Sequence, residues 1–370
     1  ARGPVEQAGI PALGFADLYR FAPANARALG EELTADMQLG AVVSAEETSA
    51  YHGINLAELI ERDSEDRARA EFAKRGRHAF LPRGFMRRVL ADYAPNIVVA
   101  TNSPRAERAA IEAAGDLAIP SICALDMFGL QEIEWIGREG FADRIAVLNG
   151  AVREMVVSHG RKPSEVVVTG NPQFDALIDP ECRQSGEALR RERGWDDGRL
   201  TMLWASQIEP LAHPFVEIAG DPLLPRKIEA ALRQLITEDD RLRLVVRYHP
   251  SENVPFTEQD RVLLSPSSER LHPLLHAIDL LVVTSSTVGL EAYLARKPVI
   301  SVDCSIFTAD APFAQLGISS GVDSIEELVH WVRDLNGERP SFPLPGQFPS
   351  AVEEYGATAK VAAVIEEIAS

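Results

Sequence analysis

The sequence predicts an α/β chain of two Rossmann-like domains, and three observations lead there. Short apolar runs recur along it, among them NIVVA at Asn96–Ala100, LTMLWA at Leu200–Ala205 and LLVV at Leu280–Val283; such runs suit parallel strands covered on both faces. Stretches of helical periodicity separate them, the alternation expected of a parallel sheet with helices on its faces. At 370 residues the chain is also too long for one ordinary hydrophobic core.

Bulk composition narrows the function classes. Apolar residues make up 46% and charged residues 25%, the balance of a globular protein. A net charge of −18 opposes non-specific binding to nucleic acid, so no nucleic-acid partner is expected. The three cysteines, Cys123, Cys182 and Cys304, lack metal-type spacing and suit a reducing compartment. A cytoplasmic location is expected, with peripheral association at the inner membrane face left open. Cys123 and Cys304 lie in apolar contexts and read as core residues. No apolar run reaches the length of a membrane-spanning helix.

Taken in order, Ala1–Gly9 reads as the end of a helix leading into a strand around Ala12–Phe15, as though a first strand and loop preceded it. Asn55 reads as the cap of a charged helix running to Lys74, and Phe85–Tyr93 as a helix that stops before Pro95. Strands are expected at Asn96–Ala100, Ile119–Leu125, Arg144–Leu148 and Glu165–Val168, with helices at Arg105–Ala114 and near Val152–His159. Gly170–Gly186 is rich in turn formers and reads as the interdomain linker. Beyond it, strands are expected at Leu200–Ala205, Arg241–Tyr248, Leu280–Val283 and Pro298–Val302. Helices are expected at Pro225–Ile236, Leu271–Ile278, a stretch ending at Arg296, Ser324–Leu335 and Ala351–Ile368. The domains are then 1–170 and 171–350, with 351–370 a helix that returns to the first.

Three polar clusters follow strands of the second half: Ser206 and Gln207, then His249 and Pro250, then Ser285, Ser286 and Thr287. Parallel strands would bring all three to one sheet edge, where open α/β sheets bind ligands. Hydroxyls at a helix start favour a phosphate, and a histidine beside them can hydrogen-bond one without a metal. Glu291, about one turn further on, is placed to accept from ribose hydroxyls. The bland alternative for the hydroxyls is helix capping, which needs only one of them. Arg247 shares a face with His249 by the period-two rule and points either to phosphate or to a carboxylate. His213 and Pro214 form a second such pair in a Pro-rich loop. In the first half, Asn102 and Ser103 read as ligand contacts or as caps of the helix near Arg105. Asn171 suits a hinge turn or a ligand contact, and Glu61–Asp66 a solvated face.

VVVTGNPQFD (Val166–Asp175), RYHPSEN (Arg247–Asn253) and TSSTVGLEAYLARKPVI (Thr284–Ile300) resemble nucleotide-sugar enzymes of the glycosyltransferase B-type fold. Capsule polysaccharide transferases, Kdo transferases, bacterial sialyltransferases, CDP-glycerol glycerophosphotransferases and UDP-N-acetylglucosamine 2-epimerases share parts of this pattern. The resemblance runs from about Asn96 to the C-terminus. It implies two domains facing each other across a cleft, an acceptor-side first domain and a nucleotide-sugar-binding second one. An HP pair with an SS pair resembles the CMP-binding motifs of sialyl and Kdo enzymes, which implies phosphate contacts for His249, Pro250, Ser285 and Ser286. In those families a carboxylate followed closely by Gly serves as general base; the nearest match is Asp126 in DMFG, with Gly129 one position late.

The resemblance thus implies a metal-independent, cofactor-free inverting glycosyltransferase. Its donor would be CMP-linked before UDP-linked, and its acceptor a glycan or glycolipid of a bacterial surface polysaccharide. Asp126 would deprotonate the acceptor, and His249 would steady the leaving phosphate. Two alternatives keep the fold: a nucleotide-sugar 2-epimerase or CDP-alcohol phosphotransferase, and a non-catalytic nucleotide-sugar-binding protein. The epimerases resemble GDT after the strand matching NIVVA, where this chain has Thr101, Asn102 and Ser103. The sequence leaves the oligomeric state open.

Overall fold

Parallel strands need crossovers, and crossovers need helices that bury an apolar stripe on the sheet. The computed structural model, described for residues 2–37, 43–213, 216–347 and 356–369, contains two such α/β units. The first comprises Ala1–Thr169 with Ala359–Ser370, and the second Gly170–Thr358.

The first unit carries β1 (Val98–Thr101), β2 (Ser121–Ala124), β3 (Arg144–Val147) and β4 (Val166–Val168), all parallel and adjacent in sequence order. A series of same-handed crossovers places its connecting helices on one face and leaves the other bare. Ile122 and Ala124 of β2, Ala146 of β3 and Val167 of β4 share that second face, and the C-terminal helix Ala357–Ala369 covers it through Val361, Val364, Ile365 and Ile368. Arg144 Nη2 donates to Glu367 Oε1 at 2.7 Å on the rim of the contact.

Ahead of the sheet stand the helices Ala26–Thr34, Ala45–Arg62, Glu65–Arg75 and Arg83–Tyr93, which pack around Leu29, Ile54, Leu56, Phe80 and Phe85. Two expectations fail here. Ala12–Phe15 forms no strand; it leads into a 3₁₀ turn at Ala16–Phe21, where the Glu47 carboxylate takes the N–H groups of Phe15 and Ala16. Asn55 caps nothing, because it sits mid-helix with its side chain donating to Tyr51 O. Ser44 is the cap, accepting from Glu47 N. The polar-then-apolar switch at Asn55 marks a buried helix face and not a helix start.

The second unit carries β5 (Leu200–Ala205), β6 (Leu242–Arg247), β7 (Val262–Leu264), β8 (Leu280–Val283), β9 (Val299–Val302) and β10 (Ser320–Val322) in the order β10-β9-β8-β5-β6-β7, all parallel. Met202, Trp204, Leu244, Val246, Val282 and Ile300 form one buried face with the helices Leu224–Glu238 and Ile325–Asp334. The alternate residues Leu203, Val245, Leu281 and Val283 are fully buried too, the reason these strands read as largely apolar runs.

Gly170–Gly186 is no extended linker. It folds as a 3₁₀ turn at Pro172–Phe174 and helices Asp175–Ile178 and Pro180–Glu192, the last capped by Asp179. The helix expected to end at Arg296 is the shorter Val288–Leu294, and Arg296 itself has a left-handed φ of 54°. Of the expected helix Ala351–Ile368, residues 351–355 lie outside the described residues. Cys304 is exposed in the turn after β9, whereas Cys123 and Cys182 are buried. The apolar run before Cys304 ends at Val302, so the thiol falls beyond the strand.

Candidate functional site

The second sheet reverses its winding between β5 and β8. From β5 the chain steps outward through β6 and β7, then returns to the other side of β5 and steps through β9 and β10. At such a reversal the connecting loops diverge, and the carboxyl ends of the two central strands border an open crevice. Trp204 pairs with Val282 and Ala205 with Arg247. The ladder therefore sets Gln207, His249 and Ser285 at about one level, just past the ends of β5, β6 and β8.

Two of those residues are tied to each other. Gln207 Nε2 donates to Ser285 Oγ at 2.7 Å, a hydrogen bond across the reversal itself. Ser285 and Ser286 are half-buried and Thr287 is exposed. Ser286 O accepts from Gly289 N at 2.9 Å and its hydroxyl takes Val288 N only weakly, at 3.4 Å. Thr287 stands at the N-cap without a side-chain capping bond, so the run of hydroxyls exceeds what capping uses. Thr284, 4% exposed, has a hydroxyl with no partner among the described residues. The helix behind them is only two turns long, so hydroxyls and local N–H groups, more than a long helix dipole, would meet an anion here. Gly289 is required: a Cβ there would stand 2.7 Å from the Phe313 ring.

His249 opens an exposed turn, closed by Glu252 N donating to His249 O at 2.8 Å, with Pro250 second in the turn, where its fixed φ belongs. Ser251 N donates to His249 Nδ1 at 3.1 Å. A ring nitrogen that accepts carries no hydrogen, so Nε2 bears the proton of the neutral ring and is the donor available to a ligand.

Four further expected ligand contacts, Ser206, Arg247, Glu291 and Asn171, have protein partners. Ser206 is 3% exposed; its Oγ donates to Glu252 Oε1 at 3.1 Å and accepts from Arg226 Nη2 at 2.6 Å. Arg247 forms no ion pair with a carboxylate among the described residues. Its guanidinium donates to Ser265 Oγ, Pro266 O and Glu269 O at 2.8, 3.2 and 3.1 Å, holding the loop after β7, and burial pulls its pKa down. Glu291 lies 3.2 Å from His272 Nε2 with its side chain 13% exposed. Asn171 accepts from Gln173 N at 2.9 Å as the cap of Pro172–Phe174. His213 faces Asp310 Oδ2 at 2.8 Å, while Pro214 lies outside the described residues.

In the first unit, Asp126 is exposed past the end of β2. Its backbone N–H donates to Asn102 Oδ1 at 3.0 Å, and Asn102 is buried. Asn102 thus joins the turns after β1 and β2 and does not cap the helix Ala106–Asp116, which has no side-chain cap from Ser103 either. Burial pushes the nearby Cys123 thiol up to about 12, which keeps it protonated and inert.

Sequence reasoning missed Arg226, Tyr248 and Glu252. Arg226 lies over the Tyr248 ring at 4.8 Å and bonds both Glu229 and Glu252. The signal for Glu252 was present: it stands three residues after His249, the spacing of a side chain that returns to a backbone N–H.

No protein-family model matches this sequence, and no curated protein matches it. Solved structures do. The Staphylococcus aureus MnaA–UDP co-structure superposes with a TM-score of 0.56 at 14% identity, over 84% of this chain and 91% of that one. The UDP-GlcNAc 2-epimerase of Neisseria meningitidis, solved with UDP-GlcNAc bound, gives 0.54 at 15% identity, over 76% of this chain and 81% of that one. The UDP-N-acetylglucosamine 2-epimerase of Rickettsia bellii gives 0.52 at 13% identity, over 78% and 79%. The chain has the fold of these proteins, two Rossmann-like domains of the glycosyltransferase B type.

Proposed function

We propose that this protein is a nucleotide-sugar-processing enzyme whose second unit holds the donor phosphate at the reversal between β5 and β8. The observation that carries the reading is the Gln207–Ser285 hydrogen bond across that reversal, with Ser286, Thr287 and the His249 Nε2–H grouped at the same edge. A hydroxyl cluster plus a neutral donor suits a phosphate already screened by its own ester links. The unpartnered Thr284 hydroxyl adds support, since a buried polar atom in a native fold ordinarily finds a partner.

For the reaction, the fold neighbours named above favour a UDP-linked sugar and inversion at C2 over CMP-linked transfer. Epimerisation must remove and return a proton at carbon, and transfer must take one from an acceptor hydroxyl; both need a base, and Asp126 is the carboxylate offered for it. Glycosyl transfer stands as the second reading because Asn102 occupies the position after β1 where the resemblance to the epimerases implies an acid.

Thermal-shift titration with UDP, CMP and GDP tests the site, because a ligand that binds only the folded state raises its melting temperature. Stabilisation by UDP is expected; a response to CMP alone overturns the donor assignment. Incubation with UDP-GlcNAc in D2O then separates the reactions. Epimerisation places deuterium at C2 and keeps the nucleotide attached at equilibrium, whereas transfer needs an added glycan or glycolipid acceptor, to which it forms a new glycosidic bond as it releases UDP.

A further inference from the structure

We infer that Glu252 is a positioning residue that aims the His249 imidazole, with Ser206 and Arg226 as its supports. The inference rests on the phosphate-binding role proposed for the His249 turn. Glu252 carries three bonds from three parts of the unit. Its Oε2 accepts from His249 N at 2.8 Å, while Oε1 accepts from Ser206 Oγ at 3.1 Å, past the end of β5, and from Arg226 Nη2 at 2.8 Å, on the helix Leu224–Glu238. The carboxylate is itself 9% exposed. Arg226 is in turn fixed by Glu229, which Arg233 Nε also holds at 2.8 Å, and by the Tyr248 ring.

Closure of the turn does not call for this. The backbone bond from Glu252 N to His249 O and the fixed φ of Pro250 would shape it unaided. A carboxylate and a guanidinium lose solvation when buried, and a pair of that kind is a poor device for stability alone. What the network adds is orientation. It fixes the backbone on both sides of His249, which keeps Ser251 N on Nδ1 and leaves Nε2–H as the projecting donor. A donor held in place before the ligand arrives costs less to use than one that must be ordered on binding.

Long-range ¹H–¹⁵N correlation of the ligand-free protein, at a pH well above the ordinary histidine range and assigned with His249→Gln, reads the tautomer directly. The wild type should show the Nε2–H form of His249. In Glu252→Ala the ring signals should move toward the averaged values of a solvent-exposed histidine, and UDP affinity should fall about tenfold or more, the scale of a lost hydrogen bond to a charged group. Glu252→Gln, which keeps an acceptor for His249 N, should retain the wild-type tautomer and most of the affinity. Should Glu252→Ala fail to fold, Ser206→Ala removes one support without removing a charge and should shift the ring signals part of the way. A wild-type ring in the Nδ1–H form, or a ring spectrum unchanged in every folded variant, overturns the inference. So does a shifted spectrum with unchanged UDP affinity. Wild-type protein that binds no nucleotide, yet whose His249 tautomer responds to Glu252→Ala, overturns the phosphate role and leaves the orienting network standing.

Discussion

The two sheets differ in how their strands are ordered, and the difference decides where each can bind. In the first unit β1 to β4 lie in sequence order, so each described strand hands on to its neighbour and the loops at the carboxyl edge follow one another without diverging. The Asn102–Asp126 contact draws two of those loops together. In the second unit the order reverses at β5 and β8, and Gln207 and Ser285 meet across that reversal. Winding order, with similar strand composition, separates an edge that carries the exposed Asp126 from an edge that brings Gln207, His249 and Ser285 to one level. The same contrast appears in how the sheets are covered. One-way winding leaves a bare face that the first unit closes with the C-terminal helix. Winding in both directions supplies the second unit with helices of its own for each face.

Chemistry and binding should separate between the two units. Asp126→Asn should lower turnover by about 10²–10⁴-fold, the range of general acid–base catalysis, while UDP affinity measured by calorimetry stays within about twofold. Normal turnover removes the base from the first unit. Next in size is Val364→Asp, which puts a carboxylate against Ile122 and Ala146 and should destabilise the first unit by about 3 kcal/mol. Denaturant unfolding followed by tryptophan fluorescence and UDP binding should show an early transition in which nucleotide binding by the second unit survives. A single cooperative loss of both would mean that the units do not unfold independently. The smallest effect belongs to Gln207→Ala. It removes one bond across the reversal and should weaken UDP binding by about five- to tenfold, with stability changed by no more than about 0.5 kcal/mol. Unchanged affinity would take the reversal between β5 and β8 out of the site.

Much of the second unit was legible because its strands are buried on both faces. LLVV is an unbroken apolar run, and LTMLWA and LRLVVR are interrupted only by the buried Thr201 and Arg243 before their polar ends, so the strands, and the polar residues beyond them, stand out from local composition. The first ninety residues resisted the same treatment. There the layer is helical, with polar groups such as His52, Asn55 and Glu58 buried within it, and a polar residue no longer signals an end. Single-residue roles were harder still. Ser206 and Arg247 stand where a ligand-binding residue would, yet each points its polar atoms at other protein groups. Strand position sets the level of a side chain, not its partner.

Local composition and periodicity set the class of the fold, the strands that carry the polar clusters and the clusters themselves, because burial of apolar area acts on them. Tertiary structure alone decided which clusters meet. Nothing local says that β8 returns beside β5 and not beyond β7, and that return sets Ser285 against Gln207. Nor does anything local say that Glu252 is met by Arg226 and Ser206, twenty-six and forty-six residues away along the chain. Strand order and buried ion pairs are fixed by contacts distant in sequence, whose energies exist only once the chain has folded.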